Sequence, residues 1–247
     1  MTEQPIASTY LPPVDQLLTL PIPDEDDDDW QDYSALGLSA EHIPTLIRMA
    51  LDPALGAAKL DSSEAWATRH AVRALGQLHA PAAIAALGAY LLDGVRGEEA
   101  CLDAADGLKE IAEEHPEARA DVIAAIAAGL EQYAAQSEAY NALLVSDLMD
   151  LRAVEALPTI EKAFAANKVD VMVQGDFEDV QIDLGVIETH VRKGPHLKRR
   201  ESLFDEFADV IPTEPVDHDT IKAVKAKTKA KRKQAEKSRK MNRKKHK

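Results

Sequence analysis

The chain has 247 residues, 45% of them hydrophobic and 4% aromatic, so it can bury a sizeable core made mostly of small apolar side chains. Its single cysteine, Cys101, excludes an internal disulfide and a cysteine-based zinc or iron–sulfur centre. The longest nearly unbroken apolar stretch, residues 80–92, is too short to span a bilayer. The N-terminus lacks the pattern of a secretory signal, so we expect a cytoplasmic protein with no membrane partner.

The formal charge of −14 at pH 7 is divided between two regions. Residues 222–247 hold 14 of the 29 Lys and Arg and a single acid, Glu236, for a net charge of +13. The rest of the chain keeps 15 basic and 42 acidic residues, for a net charge of −27. Such a body repels phosphate backbones and attracts cationic partners, whereas the tail attracts polyanions.

The first region, residues 1–38, is predicted to be an N-terminal cap followed by an acidic loop. Pro12 and Pro13 precede an apolar run, which predicts a short helix that caps a helical array. The acidic loop does not fit a calcium-binding loop, because the turn glycine and the final bidentate glutamate are missing. We interpret it as a solvated loop, with a docking site for a basic partner as the alternative. The candidate partner-binding residues there are Asp26, Asp27, Asp28, Asp29 and Trp30.

An internal repeat runs through the body of the chain. Residues 74–87 align without gaps to residues 147–160, at an offset of 73 residues. The matching pairs are Leu75 and Leu148, Leu78 and Leu151, Ala80 and Ala153, Ile84 and Leu157, and Leu87 and Ile160. A further copy at the midpoint contains Leu108 and Ile111, and an earlier copy begins at Ala35. Four copies at a spacing of 33 to 40 residues indicate a repeat array.

Each copy is predicted to contain two helices, because its apolar residues recur at helical spacing. The stripes are Ile84, Leu87, Gly88 and Leu91; Cys101, Ala104, Ala105, Leu108, Ile111 and Ala112; Ile123, Ile126, Ala127 and Leu130; and Tyr140, Leu143, Leu144, Leu148 and Leu151. Asp61 and Glu64 have capping-box spacing, and Pro81 suits a first helical position. Since one helix pair cannot cover its own apolar stripe, we expect the pairs to stack into a solenoid over residues 39–191.

Part of this repeat resembles a known family. Residues 73–93, RALGQLHAPAAIAALGAYLLD, resemble the HEAT-like repeat of the phycobilisome-lyase type. Together with Trp66, His70 and residues 110–119, EIAEEHPEAR, they resemble a group of bacterial HEAT-repeat proteins without an assigned activity, over about residues 10–191. The resemblance implies an all-α fold, a right-handed α-solenoid of HEAT-like helix pairs, that serves as an interaction surface. Some members handle bilin chromophores. Trp66 is a further candidate partner-binding residue.

The array is predicted to close near its C-terminal end. Residues 169–173 alternate in polarity, which favours an extended segment or short strand, and Gly175 ends it. Asp176 and Asp179 then predict a helix start. Its apolar face is predicted to contain Val180, Leu184, Ile187 and Val191. Residues 192–221 are predicted to form a short helix and a linker.

The basic tail, residues 222–247, is expected to be disordered by itself, because like charges would lie four residues apart on a helix. Its candidate partner-binding residues are Lys229, Lys231, Arg232 and Lys233. The tail has no aromatic residue to stack on bases, so any RNA binding would be nonspecific and salt-sensitive. Three alternatives stay open: binding to RNA or another polyanion, folding back on the acidic body, and a solubilising role without a fixed partner.

No catalytic motif stands out, and we predict no cofactor and no metal site. His70 and His79 are predicted to be packed or rim residues, and Cys101 a buried inert thiol. His190 and His196 could meet, but the sequence offers no third ligand for them. The leading hypothesis is a non-enzymatic adaptor whose solenoid holds a protein partner with basic groups while its tail contacts a polyanion such as RNA. The alternatives are a bilin-handling, chromophore-lyase-like protein and an RNA-binding protein acting mainly through the tail.

Overall fold

The structure is a computed structural model that describes residues 10–23, 30–59, 62–93 and 97–191, all within one unit of the chain. Every regular element in these ranges is helical, so the predicted all-α class is confirmed for them. The acidic residues 24–29, Asp61, His196, the segment 192–221 and the basic tail lie outside the described residues. What the sequence predicts for them stays a prediction.

The α-helices of the described ranges have between 4 and 17 residues and follow one another closely. They are α1 (Ile43–Ala50), α2 (Pro53–Gly56), α3 (Ala67–Gln77), α4 (Ile84–Leu92), α5 (Glu98–Glu114), α6 (Arg119–Leu130), α7 (Glu138–Asp150), α8 (Leu157–Ala165), α9 (Val171–Gln174) and α10 (Phe177–Asp183). Short 3-10 turns also occur at Val14–Thr19, Ser34–Leu36, Ala40–His42, Ser63–Trp66, Pro81–Ala83, Pro116–Ala118 and Val154–Ala156.

Several 3-10 turns form the entrance to a longer helix. The turns at Ala40–His42, Pro81–Ala83, Pro116–Ala118 and Val154–Ala156 lead directly into α1, α4, α6 and α8. Pro81 occupies the first turn, as predicted, where a backbone N–H would have no partner within the helix. The predicted N-terminal capping helix is the 3-10 turn Val14–Thr19, which buries three apolar side chains.

The helices contact one another in two series. Helices α1, α3, α5, α7 and α9 touch in succession, and so do α4, α6 and α8. The two series also meet, through α4 against α5 and α6 against α7. Apolar side chains from both series form a continuous core, which includes Tyr33, Leu75, Leu108 and Ile126. The successive contacts of α3, α5 and α7 bring polar residues on these three helices next to one another.

Residues paired by the 73-residue offset have the same environment. Leu75 and Leu148 are both buried, as are Leu87 and Ile160, and the other matched pairs also share a burial class. His79 and Arg152, which follow α3 and α7, have φ of 45° and 53°. Each helix end closes with equivalent hydrogen bonds, from Ala80 N to Leu75 O and from Ala153 N to Leu148 O. The two copies therefore share their helix-ending geometry as well as their apolar pattern.

The C-terminal end differs from the prediction in two places. Residues 171–174 form α9 instead of a strand, because the Asp170 side chain accepts a hydrogen bond from Met172 N and caps a helix there. Asp176 and Asp179 do form the predicted capping box of α10. However, α10 ends at Asp183 rather than continuing to Val191, since Gly185 has a φ of 73° and turns the chain away.

Candidate interaction surface

A set of charged side chains crosses α3, α5 and α7, and we call it the charged ridge. It comprises Arg69 and Arg73 on α3, Asp103, Asp106, Lys109 and Glu110 on α5, and Asp147 and Asp150 on α7. Five carboxyl groups face three cations, and the acidic excess lies on α5 and α7. The sites at which these groups meet differ in burial and in charge balance.

At the α3 end, Asp103 lies between two arginines. The Arg73 guanidinium donates from Nε and Nη2 to the two oxygens of Asp103, both at 3.0 Å. Arg69 donates from Nε to Asp103 Oδ2 and from Nη2 to Oδ1, the latter at 3.5 Å. All three side chains are 7% exposed. Bidentate contacts between buried charges fix geometry strongly, so this cluster locks α3 to α5 in one arrangement.

At the α7 end, one ammonium group, that of Lys109, contacts three carboxylates. Lys109 Nζ lies 2.7 Å from Asp147 Oδ1 and 3.4 Å from both Asp106 Oδ1 and Asp150 Oδ2. The Asp147 side chain is 8% exposed, whereas those of Asp106 and Asp150 are 51% and 66% exposed. This part of the ridge therefore presents two carboxylates that are at least half exposed and share one cation with a third, buried one.

Burial and charge shift the pKa values of this cluster. Burial raises the pKa of Asp147 to about 6, although Lys109 acts in the opposite direction. Burial acts to lower the pKa of Lys109, but the attraction of Asp147, Asp106 and Asp150 outweighs it and raises that pKa. The two pKa shifts are compatible, because three carboxylates stabilise the charged form of Lys109, whereas the charged form of Asp147 shares a single cation with two other carboxylates. Lys109 thus stays charged, and the cluster is net negative at neutral pH.

Trp30, predicted as a partner-binding residue, lies against the ridge. Arg73 stands 5.3 Å from the centre of its ring, a cation–π contact. A Cβ placed on Gly76 would lie 3.2 Å from Trp30 Cζ3, 3.3 Å from Glu110 Oε2 and 2.8 Å from Gly107 Cα. The backbones of α3 and α5 therefore cross in close contact at Gly76 and Gly107. Trp30 and Glu110 both lie beside that crossing.

The residues on either side of the acidic loop are held on α3. His70 Nε2 donates to the Pro21 carbonyl at 2.9 Å, so its Nδ1 accepts from the Tyr33 hydroxyl at 2.8 Å. Gln77 Nε2 donates to Gln31 O, and its Oε1 accepts from Tyr33 N. Burial lowers the pKa of His70, which keeps it neutral. The prediction that His70 is a packed residue is confirmed.

The other candidate residues lie elsewhere. Trp66 is half-buried and immediately precedes α3, in a 3-10 turn that packs against the turn Val14–Thr19 and α2. The structure therefore places Trp30 on the ridge and Trp66 in a different packing environment. Asp26 to Asp29, Lys229, Lys231, Arg232 and Lys233 lie outside the described residues.

Cys101 is buried, as predicted, with its thiol 3.5 Å from the Tyr90 carbonyl. His190 lies beside the α10 cap, with its Nε2 2.8 Å from Asp179 Oδ1. Asp176 is close enough for the three side chains to hold a metal ion. However, the two carboxylates already accept the backbone hydrogen bonds of the capping box, which explains why they lie together. The cap was predicted from the sequence, whereas its contact with His190 was not.

A shallow groove of about 530 Å³ lies between α4 and α6, on the other series of helices. Its lining is mostly small and apolar, with Ile84, Gly88, Leu92 and Ala125 among its residues. Asp121 is the only ionisable residue among those described in the lining. The groove thus lacks the polar groups that would orient a small polar ligand.

The ion pairs of the ridge were not predicted, although they follow a pattern in the sequence. Asp103 lies 34 residues after Arg69 and 30 after Arg73, while Asp150 lies 41 after Lys109. These separations are close to one repeat period. Opposite charges one period apart on a helical repeat come to face each other on neighbouring helices. Opposite charges at this spacing are therefore the sequence signal of the ridge.

Comparisons with known proteins add no relatives: no family model, no curated protein and no solved structure matches this chain. Within the described part of the chain, no helix combines the length and the apolar character needed to cross a bilayer.

Proposed function

We propose that the protein is a non-enzymatic cytoplasmic scaffold, a right-handed α-solenoid of HEAT-like helix pairs that holds a partner protein carrying basic groups. Two features support the solenoid: the two series of successive helix contacts, and the matching ends of α3 and α7. In such an array neighbouring pairs present one extended surface, and repeat proteins use such surfaces to bind partners. The basic tail is proposed to contact a polyanion such as RNA at the same time.

The observation that carries this proposal is the carboxylate excess of the charged ridge on α5 and α7. Asp106 and Asp150 are more than half exposed, and each is only 3.4 Å from the single ammonium that they share with Asp147. A partner's lysine or arginine would relieve the repulsion between these carboxylates without displacing Lys109. Such contacts steer association and set specificity, and their effect weakens as salt rises.

A charge-reversal experiment tests the protein-binding part. The variant Asp106→Lys/Asp150→Lys changes the ridge, and Glu131→Lys/Glu161→Lys makes the same change in net charge at exposed positions after α6 and on α8. Proteins retained from an extract of the source cells are quantified by mass spectrometry. We expect basic proteins to be retained by the wild type and the control and lost from the ridge variant. Equal retention by both variants would show that the ridge is not the binding surface.

The tail is tested separately. Full-length protein and a chain ending at Ile221 are titrated with a homopolymeric RNA at several salt concentrations. We expect the full-length protein to bind with an affinity that falls steeply as salt rises, and the shortened chain to bind much more weakly. Equal binding by the two would remove the tail from the proposal and leave the ridge experiment unaffected.

A further inference from the structure

The cluster around Lys109 holds more negative charge than its one ammonium can balance. Lys109 Nζ lies 2.7 Å from Asp147 Oδ1 and 3.4 Å from Asp106 Oδ1 and Asp150 Oδ2. When carboxylates share a site in this way, a proton on one of them relieves their repulsion. Asp147 takes that proton most readily, because its side chain is 8% exposed and burial penalises an ionised group, whereas the other two are at least half exposed.

We propose that a proton and a cation of the bound partner compete for this cluster, so that binding of a basic partner drives the proton of Asp147 into solvent. The inference deepens the proposed function and rests on it, because it concerns the regulation of the same ridge. The step breaks one O–H bond of the Asp147 carboxyl group, and a base of the surrounding buffer takes up the proton. Binding of a basic partner therefore tightens as pH rises through the range in which Asp147 ionises.

Lys109 connects the buried carboxyl group with the exposed pair. With Asp147 protonated, two carboxylates and one ammonium leave a net charge of −1, and with Asp147 ionised, three carboxylates and one ammonium leave −2. A cation of the partner that contacts Asp106 and Asp150 is thus held more tightly by the ionised cluster. By reciprocity, the bound cation favours the ionised form of Asp147 by the same factor.

The charged groups that face Asp147 from α5 and from α7 itself set the range of pH. Burial raises its pKa to about 6; Lys109 opposes the rise, whereas Asp106 and Asp150 add to it. Tyr140 on α7 stays neutral in this range, because burial raises its pKa further above the ordinary value. The exchange of the proton is therefore centred close to neutral pH.

The other helices packed against α7 are α6 and α9. The described helix α9, Val171–Gln174, contains no ionisable side chain. On α6, Arg119 donates to Leu151 O and to Glu155, and Asp121 lies in the lining of the groove beside α4. The coupling between proton and partner therefore depends on the contacts of α5 with α7.

Titration calorimetry with octalysine measures both affinity and proton release, since the peptide stays fully charged near neutral pH. The full-length protein is titrated at pH 6 and about 0.15 M salt in buffers of different ionisation enthalpy, and the difference in heat gives the number of protons released. We expect about 0.3–0.5 proton per bound peptide, because Asp147 is about half protonated at this pH. The affinity should rise roughly threefold to tenfold from pH 5 to pH 7.

Three variants make the result decisive. Asp147→Asn cannot ionise, so it should release almost no proton and keep the low-pH affinity of the wild type at pH 7. Asp106→Lys/Asp150→Lys should bind octalysine much more weakly, whereas Glu131→Lys/Glu161→Lys should release as many protons as the wild type.

Binding by the wild type without proton release, or equal release by Asp147→Asn, would overturn the inference and leave the proposed function standing. No binding by the wild type, or equal binding by Asp106→Lys/Asp150→Lys, would overturn both. If Asp147→Asn fails to fold, the wild type alone decides, because an affinity that is constant from pH 5 to pH 7 contradicts the competition.

Discussion

Replacing Asp103 with Asn should destabilise the fold strongly, because it removes the negative charge that lies between two buried arginines. Arg69, Arg73 and Asp103 are each 7% exposed, so solvent cannot take over the role of the lost charge. Removing one partner of a buried ion pair costs about 3–5 kcal/mol. Since two guanidinium groups share this charge, we expect a loss towards the upper end of that range. For a domain of this size it corresponds to a fall in Tm of roughly 10–20 °C.

Urea unfolding followed by far-UV circular dichroism measures this change, with the slope m compared between proteins to check that the transition stays two-state. Asp106→Asn is the matched control, since it makes the same chemical change one turn along α5 on a side chain that is 51% exposed. We expect the control to cost less than about 1 kcal/mol. A similarly small loss for Asp103→Asn would refute the reasoning, because it would mean that the buried contacts do not hold α3 to α5.

Two further predictions concern the helix crossing and the acidic cluster. Gly76→Ala should destabilise the folded protein by about 1–3 kcal/mol, because the added Cβ would lie 2.8 Å from Gly107 Cα. The control Gly129→Ala places its Cβ near side chains only, at 3.7 Å or more, and should be neutral or stabilising by up to about 1 kcal/mol. Equal effects of the two substitutions in thermal unfolding would contradict the close crossing. The raised pKa of Asp147, about 6, means that the folded state holds a proton more tightly than the unfolded chain. The free energy of unfolding therefore falls by up to ~3 kcal/mol through Asp147 as pH rises from about 4 to 6, and this contribution is constant above pH 6. Asp147→Asn should remove this part of the pH dependence in urea titrations, and parallel curves for variant and wild type would contradict it.

The apolar pattern was sufficient to predict most of the helices. The stripe from Cys101 to Ala112 is buried throughout, and the positions paired across 73 residues share their burial. Burial of one helix face repeats with the helix period, so the sequence carries this information in every turn. One stripe was partly wrong: Tyr140, Leu144 and Leu148 are buried, but Leu143 is 40% exposed. It lies at the edge of the face that α7 buries.

Short elements were harder to predict, because a few residues carry little periodicity. The segment 169–173 alternates in polarity, yet the cap formed by Asp170 turns residues 171–174 into α9. At α10 the predicted start was confirmed, but the left-handed conformation of Gly185 stops the helix before Val191. In both places one hydrogen bond or one backbone angle outweighs the hydrophobic pattern. Such local terms decide the outcome where too little apolar surface is buried to dominate.

The candidate site was predicted only in part. Trp30 was predicted as a candidate partner-binding residue next to an acidic loop, and the structure places its ring against Arg73 and beside the crossing at Gly76. Nothing in the local sequence shows that contact, because Arg73 is 43 residues away. The acidic character of the body was evident from composition. Composition does not show that acidic side chains of α5 and α7 meet around Lys109, because this depends on which helices are neighbours.

Polar contacts between residues about one repeat apart occur well beyond the ridge. Glu98 accepts hydrogen bonds from Ser137 N and Oγ across 39 residues, and Arg119 pairs with Glu155 across 36. Gln174 donates to Ala142 O across 32 residues. The apolar core binds successive helices without fixing their register, since an Ala-rich surface offers few distinctive shapes. Directional polar contacts at the repeat period supply that register. The spacing of Asp106 and Asp150 is therefore only as definite as the register of α5 against α7.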